Sequence, residues 1–175
     1  MMMEVSDAII NKVAESGLIT LDLETFYPKE TIKIFDLKDY LFRGLIVREK
    51  DFREALKVTD WQQYAQANVA VTCTADAIIP VWAYMLVATY LQPVANAVVL
   101  GDEKKLIETQ LLQNIKQINI NEFKDKRVVI KGCGDIPISA SAYLQITSVL
   151  LPHVKSIMYG EPCSTVPVYK KKINF

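Results

Sequence analysis

The sequence predicts an α/β fold: a mostly parallel sheet flanked by helices, built on two repeated β-α-β units, with an N-terminal α+β extension. Three observations predict it. First, a block recurs at a constant offset of 59 residues: Val69, Asp76, Ala83, Tyr84, Leu91, Pro93 and Gly101 return as Val128, Asp135, Ala142, Tyr143, Leu150, Pro152 and Gly160, and Asp102 is answered by Glu161. Second, each copy holds a short apolar, β-branched run, then an apolar stretch of helical length, then a second apolar run, as expected for buried strands joined by a helix. Third, a strand-helix-strand unit of this length is a parallel crossover, which requires a parallel sheet with helices on its faces.

Taken in order, Ser6 to Ser16 reads as an amphipathic helix with Ile9, Ile10, Val13 and Ala14 on one side, stopped by Gly17. Ile19, Leu21 and Leu23 alternate with polar residues as in a half-buried strand, and Thr31 to Leu37 is expected to pair with it as a hairpin around Pro28. Asp51 with Glu54 marks a helix start before Leu56. Residues 1–67 show no repeat and read as an extension of the main core, since no linker separates them from residue 68. In the first repeat, residues 68–102, a strand at 68–73 leads to a helix opened by Pro80 and closed by Pro93, because proline is tolerated in the first turn of a helix and rarely inside it. The strand Ala97 to Leu100 ends at Gly101.

From Asp102, read as an N-cap, to Ile118 a connecting helix places Ile107, Leu111, Ile115 and Ile118 on one stripe, with Lys104, Lys105, Glu108 and Lys116 elsewhere. The second repeat, residues 127–163, gives a strand at 127–132, a helix from Pro137 to Leu151 and a strand from Ser156 to Tyr159, ended by Gly160. The simplest arrangement sets the strands at 68 and 127 side by side, with those at 97 and 156 outside them. The crevice at the carboxyl ends of such central strands is where open α/β sheets bind ligands.

Composition fits a single domain spanning residues 1–175. With 51% hydrophobic residues the chain can fill one core, and its zero net charge favours neither nucleic acid nor an anionic membrane as partner. Lys170, Lys171 and Lys172 read as a solvated tail. No cationic start followed by an apolar stretch marks a signal peptide, so a cytoplasmic protein is expected. Residues 77–101 carry no charge, but only 12 residues lie between Pro80 and Pro93, against the ~20 that a bilayer-spanning helix needs. This stretch is expected to be a helix buried on most sides, partly in a homo-oligomer interface.

The three cysteines are odd in number and belong to a reducing compartment, which argues against a disulfide framework. Each falls in a loop after a strand and keeps company with a carboxylate: Cys73 with Asp76, Cys133 with Asp135, Cys163 with Glu161. Free cysteine is often only a small buried hydrophobe. Loops from neighbouring strands ~4.8 Å apart can nevertheless bring thiolates to a common ion at ~2.3 Å, and a helix N-terminus favours the thiolate. Cys73, Cys133 and Cys163 are therefore candidate metal ligands, with Asp76, Asp135 and Glu161 in support, for zinc, iron or an iron-sulfur cluster.

Other chemistries are poorly provided for. The chain has no C-x-x-C pair, and its one histidine, His153, excludes multi-histidine sites and reads as a helix-end or surface residue. Gly132-Cys133-Gly134 supplies two glycines of a dinucleotide loop, but Pro137 takes the third position. No G-x-S-x-G elbow or phosphate-binding P-loop is present. Tyr84 and Tyr143 read as packing residues.

The strings Val69-Ala70-Val71-Thr72-Cys73, Ile79-Pro80-Val81-Trp82-Ala83-Tyr84, Ile130-Lys131-Gly132-Cys133 and Ser156-Ile157-Met158-Tyr159-Gly160-Glu161-Pro162-Cys163-Ser164, with Arg48 to Arg53 and Asp60-Trp61, resemble an uncharacterised bacterial family, the domain of unknown function 2480. The resemblance runs over nearly the whole chain. It implies no activity, only an association with iron-sulfur assembly proteins as partners. Three readings follow: a metal-binding or iron-sulfur-associated accessory protein; a thiol enzyme with Cys133 as nucleophile and Asp135 or Glu161 as proton carrier; or a scaffold with buried cysteines. The sequence alone names no reaction or substrate.

Overall fold

A computed structural model describes residues 17–132, 134–161 and 163–172; the expected helix at Ser6 to Ser16 and the position of Cys133 lie outside the described residues. The chain forms β1 (Leu18–Asp22), β2 (Ile32–Asp36), α1 (Glu49–Val58), β3 (Asn68–Thr72), α2 (Val81–Leu91), β4 (Ala97–Leu100), α3 (Glu103–Lys116), β5 (Arg127–Lys131), α4 (Ala140–Leu150), β6 (Ser156–Glu161) and β7 (Ser164–Lys170). Short 3₁₀ turns follow β1 and β2 at Leu23–Phe26 and Leu37–Tyr40. The α/β class with mostly parallel strands and flanking helices is the fold the chain adopts.

The chain divides into two compact units. One comprises residues 1–26 and 112–175, and the other residues 27–111. Each has its own sheet, of order β1-β5-β6-β7 and β2-β3-β4 respectively. The two repeated strands β3 and β5 therefore do not lie side by side. Each is instead the middle of three parallel strands in a separate sheet. The proposed hairpin around Pro28 is also absent, because β1 pairs with β5 and β2 with β3, both in parallel.

The two units nonetheless repeat more deeply than expected. Leu18 pairs with Arg127 and Asp22 with Lys131, while Ile32 pairs with Asn68 and Asp36 with Thr72. On the other side, Arg127 pairs with Ser156 as Asn68 pairs with Ala97. The register is the same in both, and the duplication reaches into the segment that looked unrepeated: β1 with its 3₁₀ turn is the counterpart of β2 with its own. Leu23 and Leu37, the first residues of those turns, are both fully buried.

Local chemistry accounts for the helices. Pro80 caps α2 with extended geometry and needs no N–H there. The Asp102 carboxylate accepts the Lys105 amide at 2.8 Å, the capping role read from sequence. The second repeat differs, since Pro137 stands clear of α4 and Ser139 is the N-cap. Its hydroxyl makes no capping bond and is buried without a partner among the described residues.

Ala83, Val87 and Leu91 of α2 and their counterparts Ala142, Ile146 and Leu150 of α4 are fully buried, one stripe at helical spacing in each unit. The rest of α2 is not covered as expected: Val81 and Met85 face solvent. Lys170 ends β7, antiparallel to β6, so the expected lysine tail begins inside a strand. Among the described residues, no helix is long and apolar enough to cross a membrane.

Candidate functional site

Each unit gathers its polar chemistry at the carboxyl ends of its parallel strands. In the unit of residues 27–111 the organiser is Asp36, the last residue of β2. Its carboxylate accepts the Lys38 amide at 3.0 Å, the Thr74 amide at 3.0 Å and the Thr74 hydroxyl, with the Lys38 ammonium at 3.4 Å. The first 3₁₀ turn after β2 is thereby tied to the loop after β3. Burial of this carboxyl, which is 12% exposed, works against ionisation, but the Thr74 and Lys38 hydrogen bonds outweigh it and its pKa is lowered from 3.8.

The stability contributed by a carboxylate with a depressed pKa is present above the ordinary aspartate range and is lost as pH falls through the folded value, here below 3.8. A Thr74→Val variant should be less stable at pH 7 by about 1 kcal/mol. It should also lose less stability than the parent between pH 5 and pH 2, as urea unfolding at each pH would show. An unchanged acid sensitivity would remove Asp36 from this role.

Cys73 and Asp76 lie in that same β3 loop. The Cys73 thiol is half-buried, donates to the Ala75 carbonyl at 3.6 Å and packs on the unit's apolar cluster. Burial, and then the thiol beside it, push the Tyr84 phenol above its usual pKa. Asp76 is exposed.

In the other unit the corresponding strand ends carry Asp22 on β1, Lys131 on β5 and Glu161 on β6. Lys131 Nζ lies 3.1 Å from Asp22 Oδ2. The Asp22 hydrogen bond and charge, followed by the charges of Glu161 and Glu24, raise the Lys131 pKa and hold it as ammonium. Asp22 also accepts the Glu24 amide at 3.0 Å, opening the 3₁₀ turn that brings the Glu24 carboxylate over the loop after β5.

The glycines on either side of Cys133 show how closely that loop is approached. A Cβ on Gly132 would stand 2.6 Å from the Tyr143 hydroxyl and 3.2 Å from Ile138, and one on Gly134 would collide with the Glu24 carboxylate. Only glycine fits at either place without movement of its neighbour. Tyr143 meets Tyr159 edge to face, with centroids 5.6 Å apart. Cys163 is a free, exposed thiol in the connection between β6 and β7, where Glu161 pairs with Ser164. Asp135 is exposed in the β5 loop.

The sequence candidates are thus divided between two rims. Cys73 and Asp76 belong to one, Asp135, Glu161 and Cys163 to the other, and Cys133 lies outside the described residues. Among the described residues, no group of three or more histidine, cysteine, aspartate or glutamate side chains is placed to hold a metal. The residues that sequence reasoning passed over are Asp22, Glu24, Lys131, Asp36 and Thr74. One signal was available: Asp22-Leu23 and Asp36-Leu37 each end an alternating run with the same acidic-apolar pair.

Comparison with known proteins adds one match. The family described as Protein of unknown function (DUF2480) matches residues 7–171. Nothing among curated proteins or solved structures matches.

Proposed function

Because the match spans nearly the whole chain, the protein belongs to the DUF2480 family, and from that premise we propose that it is a metal-binding or iron-sulfur-associated accessory protein whose ligands gather where β5 and β6 end. The observation that carries the proposal is the pairing of β5 with β6 as parallel neighbours, Ile130 opposite Tyr159. In sequence, a cysteine stands two residues beyond the end of each strand, Cys133 after Lys131 and Cys163 after Glu161. Adjacent strand ends are the shortest route by which two thiolates remote in sequence reach one ion.

The surroundings suit the role. Glu24, Glu161 and Asp135 supply carboxylates at the same rim, and the Lys131 ammonium offsets part of the negative charge that thiolates would add. Softness of the donors selects zinc, iron or an iron-sulfur cluster over magnesium or calcium. Cys73, the third cysteine candidate, belongs to the other unit, where its thiol contacts the Ala75 carbonyl and packs on the apolar cluster. In this reading the protein works in the reducing cytoplasm with iron-sulfur assembly proteins as partners.

Protein purified without oxygen should carry near-stoichiometric zinc or iron by elemental analysis. Cys133→Ser and Cys163→Ser should each lower metal content severalfold, with Cys73→Ser showing whether the third thiol takes part. Metal-free protein whose Cys133 is alkylated rapidly at neutral pH would replace this reading with the thiol-enzyme one. Metal-free protein with slow-reacting thiols would leave the scaffold.

A further inference from the structure

The duplicated units differ at one edge. In the unit of residues 1–26 and 112–175, β6 is covered on its outer side by β7, which runs antiparallel to it. Its counterpart β4 has, among the described residues, a strand partner only on its β3 side. The effect of that missing neighbour is visible in equivalent side chains. Ile157 of β6 is fully buried, while Val98, at the same position of β4, is half-exposed, and Leu100 is 61% exposed against 41% for its equivalent Tyr159.

The helix beside this edge is equally bare. Val81 and Met85, one turn apart on α2, are 73% and 65% exposed. In the other unit the equivalent helix positions, Ala140 and Leu144, are exposed as well, Leu144 to 72%, but line the open side of a groove of about 520 Å³ with Tyr159 of β6 and Val168 of β7. The covering strand thus supplies one wall of that groove, and the unit of residues 27–111 has the same floor and helix without the wall.

We propose that β4 is a self-association surface, where two copies of this chain pair β4 to β4 antiparallel about a twofold axis. Three features select a second copy as occupant. The covered edge of the duplicated unit shows that an antiparallel strand is what this sheet accepts. A twofold contact sets a surface against itself, and residues 77–101 contain no charge to repel their own image. None of the charged gatekeepers that usually blunt an open edge is present on β4. The strand is short, so α2 contributes the remaining apolar area through Val81 and Met85.

The test is sedimentation equilibrium of the full chain over a range of concentrations, with circular dichroism confirming that each variant is folded. The parent should be a dimer. Leu100→Lys and, independently, Met85→Lys should weaken association at least about tenfold, because each copy would bury an unpaired ammonium. Leu144→Lys, at the Met85-equivalent position of the other unit, should leave association unchanged. A parent that stays monomeric overturns the proposal. So does a dimer insensitive to both Leu100→Lys and Met85→Lys, or one dispersed by Leu144→Lys or by Val166→Lys on β7.

Discussion

Replacing Phe35 by alanine should destabilise the unit of residues 27–111 by about 3–5 kcal/mol, the range for deleting a fully buried aromatic ring. Phe35 is 1% exposed. Its ring stacks on Tyr40 at 5.1 Å and Trp61 at 5.5 Å, and meets Tyr64 at 6.0 Å, so one truncation removes three aromatic contacts and leaves a cavity beneath β2. The chain's two tryptophans, Trp61 and Trp82, both lie in this unit, so their fluorescence follows its unfolding. The urea midpoint by fluorescence should fall steeply in Phe35→Ala and far less in Phe35→Leu, which keeps most of the volume. A loss under about 1 kcal/mol would mean that the ring does not organise this core.

Gly160→Ala should be the most damaging single methyl in the other unit. The backbone at Gly160 has φ +118°, a region costing L-residues about 1–3 kcal/mol. A Cβ there would also stand 2.5 Å from the Ser164 carbonyl oxygen. That oxygen cannot easily move, because Gly160 pairs with Thr165 and Glu161 with Ser164 across the hairpin. The duplicated position sharpens the test: at Gly101, φ +139°, the backbone cost is shared, but an added Cβ would stand 2.9 Å from Lys105 Cγ and 3.0 Å from its Cβ rather than 2.5 Å from a hairpin carbonyl oxygen.

Gly160→Ala should therefore lower the thermal midpoint more than Gly101→Ala and speed amide exchange at Thr165 and Val166. If Cys163 is a ligand, bound metal should fall with it. Equal effects at the two glycines would contradict the hairpin geometry described here.

What the sequence discloses and what it conceals follow from the physics of each signal. The β-α-β repeats were legible because side-chain type, helix-bounding prolines and terminal glycines recur together, and they carry the strand register with them. Strand neighbours were not. Alternation in Ile19 to Leu23 and Thr31 to Leu37 states that each strand has one buried face, but says nothing of which strand lies beside it; closeness in sequence suggested a hairpin where there are two parallel pairings. β7 escaped because Pro167 and its exposed residues give an edge strand little apolar signature. At the rims, cysteines draw attention by their chemistry, whereas Asp22 and Asp36 look like the polar beats of an alternating strand until the loops they hold are seen.

The order in which the strands enter the two sheets sets a timetable for synthesis. β1 leaves the ribosome first, yet its partner β5 follows only after residues 27–111 have been made. That intervening unit holds all three of its strands and needs nothing made later to complete its sheet. It can mature while the chain is still growing, and β1 must wait for a closure spanning the entire insertion, whose entropic cost rises only slowly with length but whose formation is slow. A nascent chain halted once residue 111 has just emerged from the ribosome would thus carry one finished half and one stranded β-segment, the moment at which this protein is most exposed to mispairing.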